Sequence, residues 1–247
     1  AFASCVDTAE LTAAVGDATL TAATGFVPHG VVNRDDQQQT SQEQPEEDGI
    51  ALPEDLLDGQ EEETPEAVLD FRAVGDASLP EAEPWETRTL RARELLSQAG
   101  YPNGRDFPEV TYLYENTPEN QAAAEYLQGV WQEVLGVQVV LEPTDGDTLR
   151  TRLLAGEFTM AAFRFDAAYD DATAFLNRWD SEAGAIGGNL IGFNDRAYDL
   201  LLYVVPETAS NAGREACLHD AEQLLLENKG VVPLFYYGRT AQLADGL

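Results

Sequence analysis

Three carboxylates lie close together in the segment Asp166-Ala-Ala-Tyr-Asp-Asp171. A carboxylate held out of bulk water binds a charged amine through shorter and stronger hydrogen bonds than neutral partners make. Asp166, Asp170 and Asp171 can therefore hold an ammonium group or a cation, and Tyr169 and Trp179 can stack on a ligand side chain. Each has a structural reading beside the functional one. Asp170 and Asp171 are placed to cap a following helix in a solvated loop, and Trp179, at helical spacing from Phe175 and Leu176, fits a core. Arg164 lies inside an apolar run, where an unpaired charge is costly. It needs a carboxylate, supplied either by the protein or by a ligand.

Other chemistries find little support. His29 and His219 are isolated in sequence, so no Ser-His-Asp or Cys-His arrangement can be argued, and His219 reads as a surface residue. Cys5 and Cys217 lie far apart, each in a helical pattern where a buried free thiol is the simple reading; a disulfide requires the fold to bring them together. There is no CxxC and no Cys/His set for zinc. Calcium needs about six oxygen ligands, and no EF-hand spacing occurs. Gly184, Gly187 and Gly188 form neither GxGxxG nor a Walker loop. Paired carboxylates for glycoside hydrolysis carry no signal in so acidic a chain. The expectation is a non-enzymatic protein without cofactor or metal.

The elements that must position these residues alternate. Residues 156–180 read as a strand, an acidic loop and a helix. Phe158, Met160, Ala162, Phe163 and Phe165 form a short apolar run that suits a strand covered on both faces, and Asp170 is the expected cap of the helix after it. Ligands of open α/β sheets sit at the carboxyl ends of strands, which puts the expected site at 166–171. Upstream, residues 1–20 read as a helix, 86–99 as a second, and 110–114 as a strand. Thr117-Pro118-Glu119 is a helix start, with Thr as cap and Pro in the first turn, and Gly136 ends that helix. Residues 137–141 read as a strand, 143–147 as a turn and 149–155 as a short helix. Downstream, 194–204 and 213–228 read as helices, and VVPLFYYG as a closing strand. The pattern is α/β with one main sheet.

Composition bounds the partners. The 247 residues carry a net charge of −31, with Lys229 the only lysine. That charge repels nucleic acid and anionic lipid alike. No apolar run approaches the ~20 residues of a membrane span. Between Asp35 and Glu66 the chain holds 13 acids and no aromatic. Residues 34–66 read as an acidic surface insertion rather than an interaction tail.

In order along the chain, CVDTAEL with ATGFVPHG, ARELLSQAGYPNGRDFPEVTYLYENT, LQGVWQEVLGVQVVLE, AGEFTMAAFRF, YDDATAFLNRW, FNDRAYDLLL and AEQLLLENKGVVPLFYYG resemble the oligopeptide/dipeptide-binding proteins of bacterial ABC importers. The resemblance implies a type II periplasmic-binding-protein-like lobe, a mixed sheet flanked by helices. Residues 1–247 would be a single lobe, the second of a two-lobed clamp. It also implies binding of a peptide or other small solute, an ABC permease as partner, an extracytoplasmic bacterial location, and a lipid anchor lying outside this chain.

Both usual anchors of that family are displaced here. Ala168 stands where an Asp binds the peptide amino terminus, with Asp166 two residues earlier on the same strand face. Gly146 stands where a binding-site Trp is expected, and Arg152 sits one place before the usual basic residue. The resemblance thus nominates Asp166, Tyr169, Asp170, Asp171, Arg152, Arg164 and Gly146 as the ligand-binding set. Two other readings stay open. One is an interaction or sensor domain that kept the fold and lost peptide binding; the other, less favoured, is an acid-dependent hydrolase.

Overall fold

The computed structural model describes residues 1–31, 71–72, 83–164, 166–205 and 211–238. The acidic insertion at 34–66 and Phe165 lie outside the described residues.

The centre of the fold is a three-stranded parallel sheet in the order β3-β2-β4. Strand β2 (Val110–Glu115) pairs along its whole length with β3 (Val139–Thr144), and through Tyr112 and Leu113 with β4 (Met160–Ala161). Its side chains alternate between two packed faces. Tyr112 and Tyr114 belong to one buried cluster with Leu127 and Trp131, and Leu113 to another with Leu149 and Leu153. A strand covered on both faces is what parallel sheets require.

Helix α3 (Pro118–Leu135) crosses from β2 to β3, and α4 (Gly146–Ala155) from β3 to β4. Local chemistry sets the ends of α3. The Thr117 hydroxyl accepts the Asn120 N–H at 3.2 Å, Pro118 occupies the first turn, and Gly136 closes the helix at φ 71°. A side chain at Gly136 would meet the Asn103 carbonyl oxygen at 2.5 Å, so two independent constraints call for glycine there. Burial of Leu127, Trp131 and Leu135 fixes the inward face, each contributing roughly 1.5–3 kcal/mol. Helices α1 (Thr8–Val15) and α2 (Trp85–Gln98) pack on α3.

A second apolar cluster lies around α7 (Arg196–Val204) and α8 (Asn211–Asn228) and takes in Trp179, Tyr198, Leu218 and Leu225. The Tyr198 hydroxyl donates to the Leu176 carbonyl at 2.7 Å, which ties α7 to α5 (Thr173–Leu176). A one-turn helix α6 (Gly184–Gly187) follows Trp179. The loop before Phe26 is pinned to α8 by Glu222, whose Oε1 accepts the N–H groups of Phe26 and Val27 at 2.6 and 2.7 Å and pairs with Arg72.

Several expectations are corrected. The first twenty residues are not one helix: α1 begins at Thr8 under an Asp7 cap, and Leu20–Ala22 forms β1. That strand pairs antiparallel with β5 (Phe235–Tyr237), so among the described residues a small two-stranded sheet stands beside the main one. Pro143 and Thr144 continue β3, and Gly146 and Asp147 already belong to α4, where a turn was expected. The run from Phe158 packs on both faces, Met160 and Ala162 against one cluster and Phe158 and Ala161 against the other. It is shorter as a strand than expected: among the described residues only Met160–Ala161 pairs, at the sheet edge, and Phe163 and Arg164 beyond it are exposed. His219 is half-buried and stacked on Phe71, with centroids 4.1 Å apart, rather than a surface histidine. Both cysteines are free: Cys5 is buried and Cys217 half-buried.

Candidate functional site

Strand β2 sends one crossover to each side, to β3 through α3 and, after β3, to β4 through α4. The chain therefore reverses its direction of winding between β2 and β4. Outside the carboxyl ends of these two strands is the crevice where doubly wound sheets take ligands. Its walls include Asn120 in the first turn of α3 and Arg164 and Asp166 after β4.

That crevice region contains Arg164, Asp166, Tyr237 and Asn120. The Arg164 guanidinium pairs with Asp166 at 3.1 Å and lies 4.1 Å over the Tyr237 ring, a cation–π contact. The Tyr237 hydroxyl reaches the Asn120 side-chain oxygen at 3.5 Å, and the Asn120 amide donates to the Glu115 carbonyl. Burial raises the Tyr237 pKa, and the nearby Arg164 charge opposes the rise. Both Arg164 and Asp166 remain partly open to solvent, at 41% and 57% side-chain exposure. These residues line a cavity of about 660 Å3 between the sheet cluster and the α7–α8 cluster, within the ordinary range for small-molecule sites.

The other nominated residues sit elsewhere. Asp171 is buried and accepts from Arg214 of α8 with both carboxylate oxygens at 2.8 Å. Its Oδ1 also accepts the Thr173 N–H and hydroxyl; the cap position of α5 is Ala172, not the expected Asp170. Tyr169 is half exposed, its hydroxyl 3.2 Å from that of Thr173, and Asp170 is exposed beside it. Arg152, in the last turn of α4, pairs with Glu142 at 2.6 Å and donates to the Glu157 carbonyl. The Glu142 carboxylate raises the Arg152 pKa. Gly146 opens α4, and a side chain there would come within 3.0 Å of Glu115 Oε1. The fold thus brings Arg164 and Asp166 to one cavity. It holds Arg152 and Asp171 in ion pairs of the protein's own.

Sequence reasoning missed Tyr237 and Asn120 at the cavity, and Arg214 as the partner of Asp171. Tyr237 lay in a stretch read only as a closing strand, and Asn120 in one read only as a helix start. Arg214 had no local signal at all. Among the described residues no group of His, Cys, Asp and Glu is placed to hold a metal ion, and no helix is long and apolar enough to cross a membrane.

Comparison with known proteins places this architecture. The profile of the bacterial extracellular solute-binding proteins, family 5 (middle), matches residues 1–187. The probable deoxycholate-binding periplasmic protein YgiS of Escherichia coli K12 is 29% identical over 174 residues, 70% of this chain and 31% of its own length. The periplasmic murein peptide-binding protein MppA of the same organism is 28% identical over 64% of this chain and 30% of its own. The periplasmic oligopeptide-binding protein OppA of Salmonella typhimurium is 28% identical over 62% and 27%. The chain therefore spans about a third or less of the length of these relatives. Among solved structures, the unliganded open form of MppA shares the fold with a TM-score of 0.67, at 22% identity over 96% of this chain and 38% of that one. Haemophilus influenzae OppA in complex with the peptide RPPGFSPFR gives a TM-score of 0.59 at 25% identity, over 63% and 30%. With the doubly wound sheet, its flanking helices and the profile match in hand, this chain belongs to family 5 of the bacterial extracellular solute-binding proteins.

Proposed function

We propose that this chain is one lobe of an extracytoplasmic solute-binding protein that captures a peptide or another small solute for an ABC importer and carries out no chemistry. The observation that supports this most is the cavity at the carboxyl end of β4, with Arg164 and Asp166 on its wall, at the place where the sheet reverses its winding. The relatives' names point to the same class of role and to more than one kind of solute: OppA and MppA bind peptides, and YgiS is named for deoxycholate. In this reading a second lobe closes over the site and a permease reads the closed form. A single lobe offers half a clamp, so its own affinity is expected to be weak.

Hydrogen exchange of the 247-residue chain, with and without a pool of short peptides and small solutes at millimolar concentration, tests this reading. Slower exchange in residues 160–171 and 231–237 is expected. An unchanged exchange pattern favours the second reading, an interaction or sensor domain that has lost its ligand. Its supporting observation is that Arg152 and Asp171 are both committed to internal partners, Glu142 and Arg214. Turnover of a generic hydrolase substrate that is abolished by one carboxylate substitution would contradict both.

A further inference from the structure

The cavity beside Arg164 has a composition that the solute-binding reading leaves undefined. Its walls are mostly apolar and aromatic, among them Phe26, Trp131, Phe175 and Trp179. Charged side chains on it are few: Arg164, Lys229 and Asp166. On a protein with 45 acids against 14 bases, a lining with more cations than anions is the reverse of the global bias.

We infer that the cavity takes an amphipathic monoanion, a molecule with a compact apolar body and one carboxylate or sulfonate, in preference to a hydrophilic peptide. The apolar body fills the aromatic-walled space, where burial contributes about 25 cal/mol for each Å2 removed from water. The anionic group meets Arg164, which is already oriented by the Tyr237 ring and, beside its pair with Asp166, remains 41% exposed. Arginine suits this role because its planar guanidinium presents paired donors to a carboxylate and stays charged. The inference rests on the proposed solute-binding role and narrows its solute.

The test uses the intact 247-residue chain at about 0.15 M salt, where a Debye length of about 8 Å screens its overall negative field. The fluorescent anion 1-anilinonaphthalene-8-sulfonate is compared with its uncharged analogue N-phenyl-1-naphthylamine, and dodecanoate below its micelle concentration with dodecylamine. Trialanine serves as the hydrophilic peptide. The anions are expected to bind at least tenfold more tightly than the uncharged and cationic probes. Arg164→Gln, at a partly exposed position, is expected to remove most of that preference for the anions. Ala167→Trp, which puts bulk into the cavity, is expected to weaken every amphipathic probe; circular dichroism establishes that each variant is folded. Equal binding of charged and uncharged probes, or indifference to Arg164→Gln, overturns the inference. Binding of trialanine in the cavity without the amphiphiles overturns it too, yet leaves the solute-binding role standing. No binding of any probe removes both.

Discussion

At the scale of single residues, the strongest commitments are buried charges. Glu222 is fully buried, holds two backbone N–H groups of the Phe26–Val27 loop and pairs with Arg72. Burial raises the Glu222 pKa, and the Arg72 charge and the two N–H donors act against that rise. Removing one partner of such a pair strands the other charge in a low-dielectric interior, which costs about 3–5 kcal/mol. Glu222→Gln is therefore expected to lower unfolding free energy by that amount in urea titration. The double change Arg72→Met with Glu222→Leu is expected to cost less than Glu222→Gln alone, because no charge is left unpaired. Cys5 gives a second check. Burial pushes its thiol pKa up to about 11 from 9.0, which leaves about a hundredfold fewer thiolates near pH 8 than in an unfolded chain. In mass spectrometry, a thiolate-selective reagent is expected to modify Cys5 slowly in the native protein and rapidly in denaturant.

The same scale explains what the sequence could and could not disclose about the site. Asp166 was nominated because it ends an apolar run, and strand ends are where α/β ligands bind; Arg164 was nominated because a charge inside that run needs a partner. Asp171 looked equivalent to Asp170. Its partner Arg214 lies 43 residues away, and no local pattern announces a contact at that separation. The Tyr237 ring over Arg164 was hidden for the same reason. Trp179 was readable as core because helical spacing put it on an apolar face, and it is 1% exposed.

At the scale of elements, local chemistry was the reliable guide. Thr117-Pro118 and Gly136 mark the ends of α3 as expected, since capping is a matter of a few adjacent residues. Strand β4 is shorter than its apolar run suggests, and among the described residues it pairs on one side only. Whether such a run is central or at an edge is decided by the order β3-β2-β4. Strand β1 was missed because its partner β5 lies at the other end of the chain. Helix α4 supplies a prediction at this scale. Its cap, Asp145, accepts from the Thr148 N–H and hydroxyl at 2.9 and 2.7 Å, and these bonds hold its pKa below the ordinary 3.8. A carboxyl lowered in the folded state stabilises fully above its unfolded pKa and loses that contribution as pH falls through the folded one. The Thr148 amide is therefore expected to keep its slow hydrogen exchange, after correction for intrinsic rates, down to about pH 4. It should lose protection below that, whereas in Asp145→Ala protection should be low at every pH.

At the scale of the whole molecule, a net charge of −31 sets the conditions under which the fold is stable. Like charges repel across the surface, and salt screens that repulsion. Salt also weakens the exposed ion pairs such as Arg91–Glu83, but these contribute at most about 1 kcal/mol each. The buried Arg72–Glu222 pair is largely shielded from salt. Repulsion is expected to dominate, so the urea midpoint should rise as sodium chloride increases from about 0.05 to 1 M, a range over which the Debye length falls severalfold. A falling midpoint would mean that attractive pairs outweigh the surface field.

The central claim is that a solute enters the cavity beside Arg164 and Asp166. The most direct measurement is a 1H–15N NMR titration of this chain with the mixed pool of short peptides and amphipathic anions, read residue by residue. Saturable shifts concentrated in residues 160–167 and 231–237, and reduced by Arg164→Gln, are the expected result. Shifts scattered over the acidic surface and never saturating, or a spectrum that does not change, would contradict it.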